Sequence, residues 1–285
     1  MQTAGIVLHP TRQEARTLAE EARRWLTARG LTVYRDTSPT TVFAQAEGRE
    51  STPLDFLITL GGDGTILTAA RAAAPFGVPI LGVHLGRFGF IAESHPDALF
   101  SDLERILAQE ARLEERMMIQ AEVWRQEQKI VSRFGLNEVM VKTGMSHLMQ
   151  LRTRLGGSEF ATYPADGVVI ATPTGSTAYA LSAGGPIVTP TVQALLMVPV
   201  CPHTLNARPL LLPYDEQIEI EVESQGNDII FAIDGIDPFP LESGDRIVIR
   251  RADYVTRLFT FGQGNFYRKI HSRYLYGERL NEWGR

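Results

Sequence analysis

The sequence predicts an α/β protein in two parts, an N-terminal doubly wound Rossmann-like α/β domain and a β-rich, mainly antiparallel C-terminal domain. In roughly the first 110 residues, short continuous apolar runs alternate with helical patterns, which is typical of parallel strands covered by helices. Beyond about residue 115, apolar and polar residues alternate with a period of two, which is typical of antiparallel strands. The length of 285 residues allows two domains.

The elements of the first part follow from its apolar periodicity. Four apolar runs are the predicted strands: Gly5–Leu8, Leu31–Tyr34, Phe56–Leu60 and Pro79–Val83. A helical pattern runs from about residue 12 to residue 29, and Gly30 stands where a helix C-cap would. A second helix is predicted for Ile66–Ala74.

The second part shows period-two alternation, for example at Ile119, Ala121 and Val123. We therefore expect an α/β domain over residues 1–115 and a β-rich domain over residues 116–254. We expect the C-terminal segment, about 255–285, to pack back on the first domain. Residues 265–283 are aromatic and basic, and we predict that they are partly helical.

Composition excludes several classes of function. A formal charge of -5 argues against a nucleic-acid binder that relies on an overall positive field. Cys201 is the only cysteine, so an internal disulfide and a cysteine zinc site are excluded and a reducing, cytoplasmic location is expected. We find no signal peptide and no apolar run of membrane-spanning length, so no membrane partner is expected. The histidines show no metal-ligand spacing, so no dedicated metal site built from protein ligands is predicted.

The first chemical signal is GGDGT, Gly61–Thr65, which lies between the Phe56–Leu60 strand and the following helix. Ligands of open α/β sheets collect at the carboxyl ends of strands, where glycines let backbone N–H groups approach phosphate. A carboxylate in such a turn repels phosphate, so its presence there indicates a chemical role. Asp63 is therefore predicted either to accept a proton from an attacking hydroxyl or to help hold a metal. A simple tight turn is the alternative.

Two better-known nucleotide signatures are absent from the sequence. No Gly-x4-Gly-Lys-Ser/Thr motif occurs, so the chain is not a P-loop enzyme. The third glycine of the dinucleotide fingerprint is also missing, because Leu67 stands in its place. A Rossmann oxidoreductase is therefore disfavoured.

The second signal is DGVVIATPTGSTAYALSAGGP, Asp166–Pro186, in which an apolar strand runs into a hydroxyl-rich turn and a short helix. Small hydroxyl side chains and free amides suit a polar ligand such as a nucleotide. Taken alone, a turn rich in Ser, Thr and Gly is more often only a turn.

With these stretches, the sequence resembles the NAD kinase family. GGDGT, the Asn137-Glu138 pair, the long Asp166 block and PHTLNARP (Pro202–Pro209) occur in the family's order and approximate spacing, over roughly residues 55 to 265. GGDGT alone is not specific, because diacylglycerol-type lipid kinases and phosphofructokinases carry similar turns. The long block is far more discriminating.

The resemblance implies phosphoryl transfer from ATP or polyphosphate, with Mg²⁺, to the adenosine-ribose 2′-hydroxyl of NAD. Asp63 would be the general base. Asn137 and Glu138 would hold the nicotinamide-side ribose or amide, and Asp166 the nicotinamide carboxamide or ribose. The remaining implied ligand contacts are Gly62, Gly64, Thr65, Thr174, Thr177, Ala178, Tyr179, Ala180, Leu181, Ser182 and Asp234. Asp234-Gly235 is equally well explained as a plain hairpin turn.

The sequence departs from the family at two positions. Several members carry a basic residue where Thr68 stands and another where Tyr163 and Pro164 stand. Because those residues bias the choice between NAD and NADH, strictness toward NAD stays open. The sequence does not distinguish ATP from polyphosphate as the phosphoryl donor. The resemblance also implies a homodimer or homotetramer.

Two rival functions predict different ligands. A lipid or sphingoid-base kinase would use the same glycine turn but need an apolar slot, against which the hydroxyl-rich block argues. A non-catalytic NAD(P)-sensing module would gain nothing from a carboxylate at Asp63. An assay distinguishes the three functions: an NAD kinase phosphorylates NAD, a lipid kinase phosphorylates lipid, and a sensing module binds NAD(P) without turnover.

Overall fold

The computed structural model describes residues 1–46, 54–86, 89–144, 149–224, 228–262 and 265–273. The chain divides into a first unit, residues 1–114 with 257–285, and a second unit, residues 115–256. Within the described ranges, no helix has both the length and the apolar character that a membrane crossing needs.

The first unit alternates strands and helices. Its elements are β1 (Thr3–Leu8), α1 (Gln13–Thr27), β2 (Thr32–Asp36), α2 (Pro39–Ala46), β3 (Phe56–Gly61), α3 (Asp63–Ala73), β4 (Ile80–His84) and α4 (Leu99–Leu107), with the later C-terminal helix α6 (Asn265–Arg273). The four strands form a parallel sheet in the order β2-β1-β3-β4. Strands β1, β3 and β4 are buried along their whole length, which explains why each is a continuous apolar run in the sequence.

The second unit is built almost entirely from strands. Its elements are β6 (Gln128–Gly135), β7 (Glu138–Thr143), β8 (Met149–Leu155), β9 (Ser158–Ala165), β10 (Gly167–Ala171), a short helix α5 (Tyr179–Ser182), β11 (Ala194–Val200), β12 (Leu210–Pro213), β13 (Ile218–Glu223), β14 (Ile229–Ile233) and β15 (Ile236–Leu241). Two long strands, β5 (Arg112–Arg125) and β16 (Arg246–Thr260), contribute residues to both units.

Two antiparallel layers form the core of the second unit. One is a six-stranded sheet in the order β12-β11-β10-β7-β14-β15, and the other contains β13 between β8 and the first half of β16. Alternate side chains of both layers, among them Val141, Ile170, Phe231, Leu151 and Ile220, meet in one buried cluster. The period-two pattern of the sequence is the signature of these half-buried strands. The predicted fold class is confirmed.

The structure corrects the predicted helices of the first unit. Helix α3 begins at Asp63, three residues before the predicted start at Ile66, so the carboxylate of GGDGT belongs to the first turn of the helix. Helices α2 and α4 were not predicted from the sequence. In the last predicted helical segment, residues 265–273 are helical, and residues 274–283 lie outside the described part of the chain.

Candidate functional site

Asp63 is held in place by backbone amides of a neighbouring loop. It is the first residue of α3, directly after β3, and its side chain is half-buried. One carboxylate oxygen accepts a hydrogen bond from the Phe90 N–H at 2.8 Å, and the other accepts a longer one from Ile91 N–H at 3.4 Å. A Cβ on Gly89 would collide with this carboxylate, so the loop approaches Asp63 this closely only because residue 89 is glycine.

A cavity of about 400 Å³ lies at the carboxyl ends of β1 and β3 in the first unit. Its lining includes Gly62, Gly64 and Thr65 of the glycine turn, and His9 and Arg12 after β1. A Cβ on either of these glycines would meet no atom within 4 Å, so the turn presents bare backbone to open space. The Arg12 guanidinium donates to the Leu85 carbonyl oxygen, which fixes a positive charge at the cavity wall. This geometry suits an anionic ligand.

A second cluster in the second unit is organised by Asp234. The residue occupies the two-residue hairpin between β14 and β15, where Asp234 and Gly235 both have positive φ, 52° and 68°. The carboxylate accepts hydrogen bonds from the N–H groups of Leu136 (2.9 Å), Asn137 (2.7 Å) and Glu138 (3.3 Å). Asp234-Gly235 is thus a hairpin turn, one of the two alternatives that the sequence left even, and the buried Asp234 side chain fixes the backbone of the Asn137-Glu138 pair.

Asn137 and Glu138 present buried oxygens that have no hydrogen-bond partner in the described part of the chain. Both side chains are buried, and the atoms concerned are Asn137 Oδ1 and Glu138 Oε2. Buried acceptors without a donor are costly in a folded protein. Two of them on adjacent residues indicate a ligand that brings its own O–H or N–H donors.

The Glu138 carboxyl has an unusually high pKa. Burial, followed by the nearby Asp234 carboxylate, raises the pKa of Glu138 from 4.5 to about 8, although the Tyr179 backbone N–H donates to it and opposes the rise. The ligand-free side chain is therefore mainly protonated at pH 7 and can give up its proton when a ligand supplies donors.

The hydroxyl-rich turn packs directly on the Asn137 backbone. Thr172 N–H donates to the Asn137 carbonyl oxygen at 2.8 Å, and the Thr172 hydroxyl donates to the Leu136 carbonyl oxygen at 2.6 Å. A Cβ on Gly175 would collide with the Asn137 carbonyl. Ser176 is fully buried and bonds to the Val188 backbone. Much of the Ser/Thr/Gly content of this block is therefore structural.

The predicted ligand residues of this block differ in accessibility. Thr174 is buried, and its hydroxyl accepts a hydrogen bond from Arg116 at 3.4 Å. Ala180 lies wholly in a small core cluster with Val169 and Leu196, so it offers a ligand only its backbone. The other predicted contacts are at least partly exposed, and they are Thr177, Ala178, Tyr179, Leu181 and Ser182. Tyr179 is 36% exposed, so its aromatic side chain is accessible to a ligand.

Asp166 lies apart from the Asn137-Glu138 pair. Glu138 pairs with Ala171 at one end of the β7–β10 ladder, whereas Gly167 pairs with Lys142 at the other end and Asp166 precedes it. At about 3.3 Å per residue, five strand positions separate Asp166 from Glu138 by about 16 Å. The Asp166 backbone is fixed by Thr143 and Val200, and the residue is exposed. The structure therefore does not bring Asp166 together with the pair inside one chain.

Sequence reasoning missed several groups that the structure places at these sites. Arg12 and His9 follow β1, and the rule that ligands gather at the carboxyl ends of strands would have singled them out. The Phe90 and Ile91 amides that hold Asp63 carry no side-chain signal. The bond from Arg116 to Thr174 joins residues far apart in the chain, and no local pattern reveals it.

Most of the chain is similar to known proteins. Residues 4–111 match the family model described as ATP-NAD kinase N-terminal domain, and residues 136–261 match ATP-NAD kinase C-terminal domain. The NAD kinase of Heliobacterium modesticaldum is 38% identical over 278 residues, which cover 96% of this chain and 98% of that protein. The NAD kinase of Koribacter versatilis is 38% identical over 285 residues, covering 98% and 100%.

Solved structures show the same architecture. Yeast NADH kinase complexed with NADH superposes with a TM-score of 0.86 at 26% identity, over 98% of this chain and 88% of that one. An NAD kinase from Archaeoglobus fulgidus in complex with ATP superposes with a TM-score of 0.76 at 22% identity, over 95% and 98%. The second likeness supports the fold alone.

Proposed function

Because the chain belongs to the NAD kinase family, we propose that it transfers the terminal phosphoryl group of ATP to the adenosine-ribose 2′-hydroxyl of NAD, giving NADP. The observation that carries the proposal is Asp63, a half-buried carboxylate oriented by two amides in a glycine turn at the carboxyl end of β3. Polyphosphate offers the turn the same linked phosphates as ATP does, so both donors belong in the assay.

Asp63 acts as the general base. Its two oxygens each accept one amide hydrogen bond, and each keeps a further lone pair for the proton of the attacking 2′-hydroxyl. As the oxygen–phosphorus bond forms, that proton passes to the carboxylate and the bond from phosphorus to the donor's bridging oxygen breaks. Phosphoryl transfer of this kind depends mainly on positioning and charge neutralisation, so no side-chain nucleophile is required.

The cavity beside the glycine turn is the proposed donor site. The backbone of Gly62 and Gly64 approaches the phosphates, and Arg12 supplies positive charge. Within the described ranges, no group of three or more His, Cys, Asp or Glu residues is placed so that it could hold a metal ion by itself. Mg²⁺ is usually held by one or two carboxylates together with substrate phosphates, and Asp63 can supply such an oxygen. When bound, the ion neutralises charge on the transferring phosphate.

The Asn137-Glu138 pair is the proposed recognition site for the sugar and amide donors of NAD. The unpartnered Asn137 Oδ1 and Glu138 Oε2 match hydroxyl or amide donors, and Asp234 holds both residues through their backbone. Thr177, Ala178 and Tyr179 line the adenine and ribose side, and the Leu181–Ser182 end of α5 and the Ala180 backbone complete it. Thr174 contributes through the hydroxyl that Arg116 orients.

Asp166 supports a homo-oligomer, a dimer or a tetramer. The proposed roles place Asp166 and Glu138 at the same end of NAD, yet about 16 Å of strand separates them in one chain. A second copy would supply Asp166 to the first copy's site. Mixing inactive Asp166→Asn protein with inactive Glu138→Gln protein should then restore activity through sites that draw both native residues from different copies. If the mixture stays inactive after subunit exchange, each site is built from one chain.

The test of function uses purified protein, NAD, Mg²⁺ and either ATP or polyphosphate, with NADP read by an NADP-specific dehydrogenase. NADH serves as a second acceptor, since Thr68 and the Tyr163–Pro164 positions leave strictness open. We expect NADP to form with at least one donor. Binding of NAD without NADP formation from either donor would contradict the proposal. We also propose a cytoplasmic location, which the single cysteine supports.

A further inference from the structure

The C-terminal helix α6 reaches the loop that holds Asp63 through one lysine. Lys269 Nζ donates to the Phe90 carbonyl oxygen at 3.1 Å, to the Ala92 carbonyl oxygen at 2.7 Å and to Glu93 Oε1 at 2.9 Å. An ammonium group has three N–H donors, and these contacts offer it three acceptors. We call residues 89–93 the Asp63 loop.

The contacts of Lys269 are sheltered from water. The Lys269 side chain is 11% exposed and that of Glu93 is 7% exposed. Ion pairs on a protein surface contribute little, whereas removing one partner of a buried pair is strongly destabilising because the remaining charge is left uncompensated. Loss of either partner should therefore disturb the loop that Lys269 joins to α6.

The loop transmits this effect to the carboxylate. Phe90 donates its N–H to Asp63 and accepts the Lys269 bond on its carbonyl oxygen, so one residue is fixed from both sides. The far end of the loop is attached to β4, because Glu93 and Ser94 both donate backbone N–H groups to the Gly82 carbonyl oxygen. With that end anchored, the bond from Lys269 to the Phe90 carbonyl oxygen restrains the Phe90–Ile91 peptide, whose N–H group reaches Asp63.

We infer that Lys269 is a positioning residue for phosphoryl transfer, which holds the Asp63 loop so that its amides orient the Asp63 carboxylate. The inference rests on the proposed role of Asp63 as general base. Lys269 touches neither substrate in this scheme and acts only through the Phe90 and Ile91 peptides. Its loss should reduce turnover and leave acceptor binding intact.

The test compares Lys269→Met, which keeps most of the apolar stem, with Lys129→Met, which removes a lysine that pairs with Glu122 on the surface of the second unit. We expect Lys269→Met to lower kcat at least tenfold, with the KM for NAD changed less than about twofold, and Lys129→Met to keep wild-type kcat. Hydrogen exchange in a peptide covering residues 89–93 should accelerate in Lys269→Met only. Normal kcat or unchanged exchange in a folded Lys269→Met protein would overturn the inference.

A double-mutant cycle separates positioning from general stability. In an Asp63→Asn background, Lys269→Met should lower the residual kcat less than twofold, because the group on which it acts has been removed. An equal fold-loss in both backgrounds would show a purely structural role and overturn the inference. If Lys269→Met fails to fold, Glu93→Gln takes its place, since it removes the buried ion pair and keeps an acceptor. It should lower kcat severalfold at constant KM, and a normal kcat would again overturn the inference.

The same experiments distinguish the role of Asp63 from that of Lys269. Near-normal turnover in Asp63→Asn alone would remove Asp63 from the general-base role and with it the basis of the inference. A large loss in Asp63→Asn together with normal turnover in Lys269→Met would leave the proposed function standing and reject only the role of Lys269.

Discussion

Replacing Glu138 by Gln should stabilise the ligand-free protein, and increasingly so as the pH rises. Burial and the Asp234 carboxylate raise the pKa of Glu138 from 4.5 to about 8 in the folded protein. Below pH 4.5 the side chain is protonated in both folded and unfolded chains, so wild type and variant respond alike. Between pH 4.5 and 8 the unfolded chain loses the proton that the folded chain keeps, so wild-type stability falls. Glutamine, which stays neutral, avoids this loss.

The pKa difference sets the size of the effect. Each unit is worth about 1.36 kcal/mol, so the stability gap between variant and wild type should grow by a few kcal/mol up to pH 8, with about 5 kcal/mol as a ceiling. Thermal unfolding followed by fluorescence, without NAD, should show the Tm gap widening by on the order of 10 °C between pH 5 and pH 8. Glu159→Gln, an exposed carboxylate on β9, is the matched control. A gap that stays constant over this range would refute the assignment of a buried, protonated Glu138.

Four further predictions follow from individual contacts. Gly89→Ala places a Cβ against the Asp63 carboxylate, so kcat should fall at least tenfold in a protein that still binds NAD, measured by steady-state kinetics and calorimetry. Gly175→Ala collides with the Asn137 carbonyl and should destabilise the protein by about 1–3 kcal/mol in thermal melts. Asp234→Ala removes the acceptor for three amides and should cost about 2–5 kcal/mol and abolish measurable NAD binding by calorimetry. Arg12→Gln should raise the KM for ATP about tenfold and leave the KM for NAD unchanged. An unchanged KM for ATP would show that the cavity is not the donor site.

The fold was predictable where burial leaves a periodic pattern. Strands β1, β3 and β4 are continuous apolar runs because both faces of the sheet are covered, and the sequence shows exactly such runs in that part of the chain. The Asp234-Gly235 hairpin was recognisable because both residues tolerate positive φ. Helix α4 was missed although Leu99, Leu103 and Ile106 have helical spacing, and the short helix α2 offers only two turns of pattern.

The candidate site was predictable only as far as side-chain chemistry is visible in a motif. Asp63 and the Asn137-Glu138 pair stand in motifs, so their residue types suggested a role. The groups that hold these residues in place are not part of any motif. The carboxylate of Asp234 reaches Asn137 across about a hundred residues of sequence, and Lys269 reaches Phe90 across an even longer stretch. The separation of Asp166 from Glu138 follows from strand register, which the sequence did not specify.

The general-base role of Asp63 is tested most directly by NADP formation in Asp63→Asn beside the wild-type protein and Asp97→Asn, a control that removes an exposed carboxylate from the same unit. Asparagine is close in size to aspartate and cannot accept the hydroxyl proton. We expect a loss of at least about a hundredfold in kcat, with NAD binding retained, for Asp63→Asn alone. Turnover of Asp63→Asn within a few fold of wild type would show that Asp63 is not the general base.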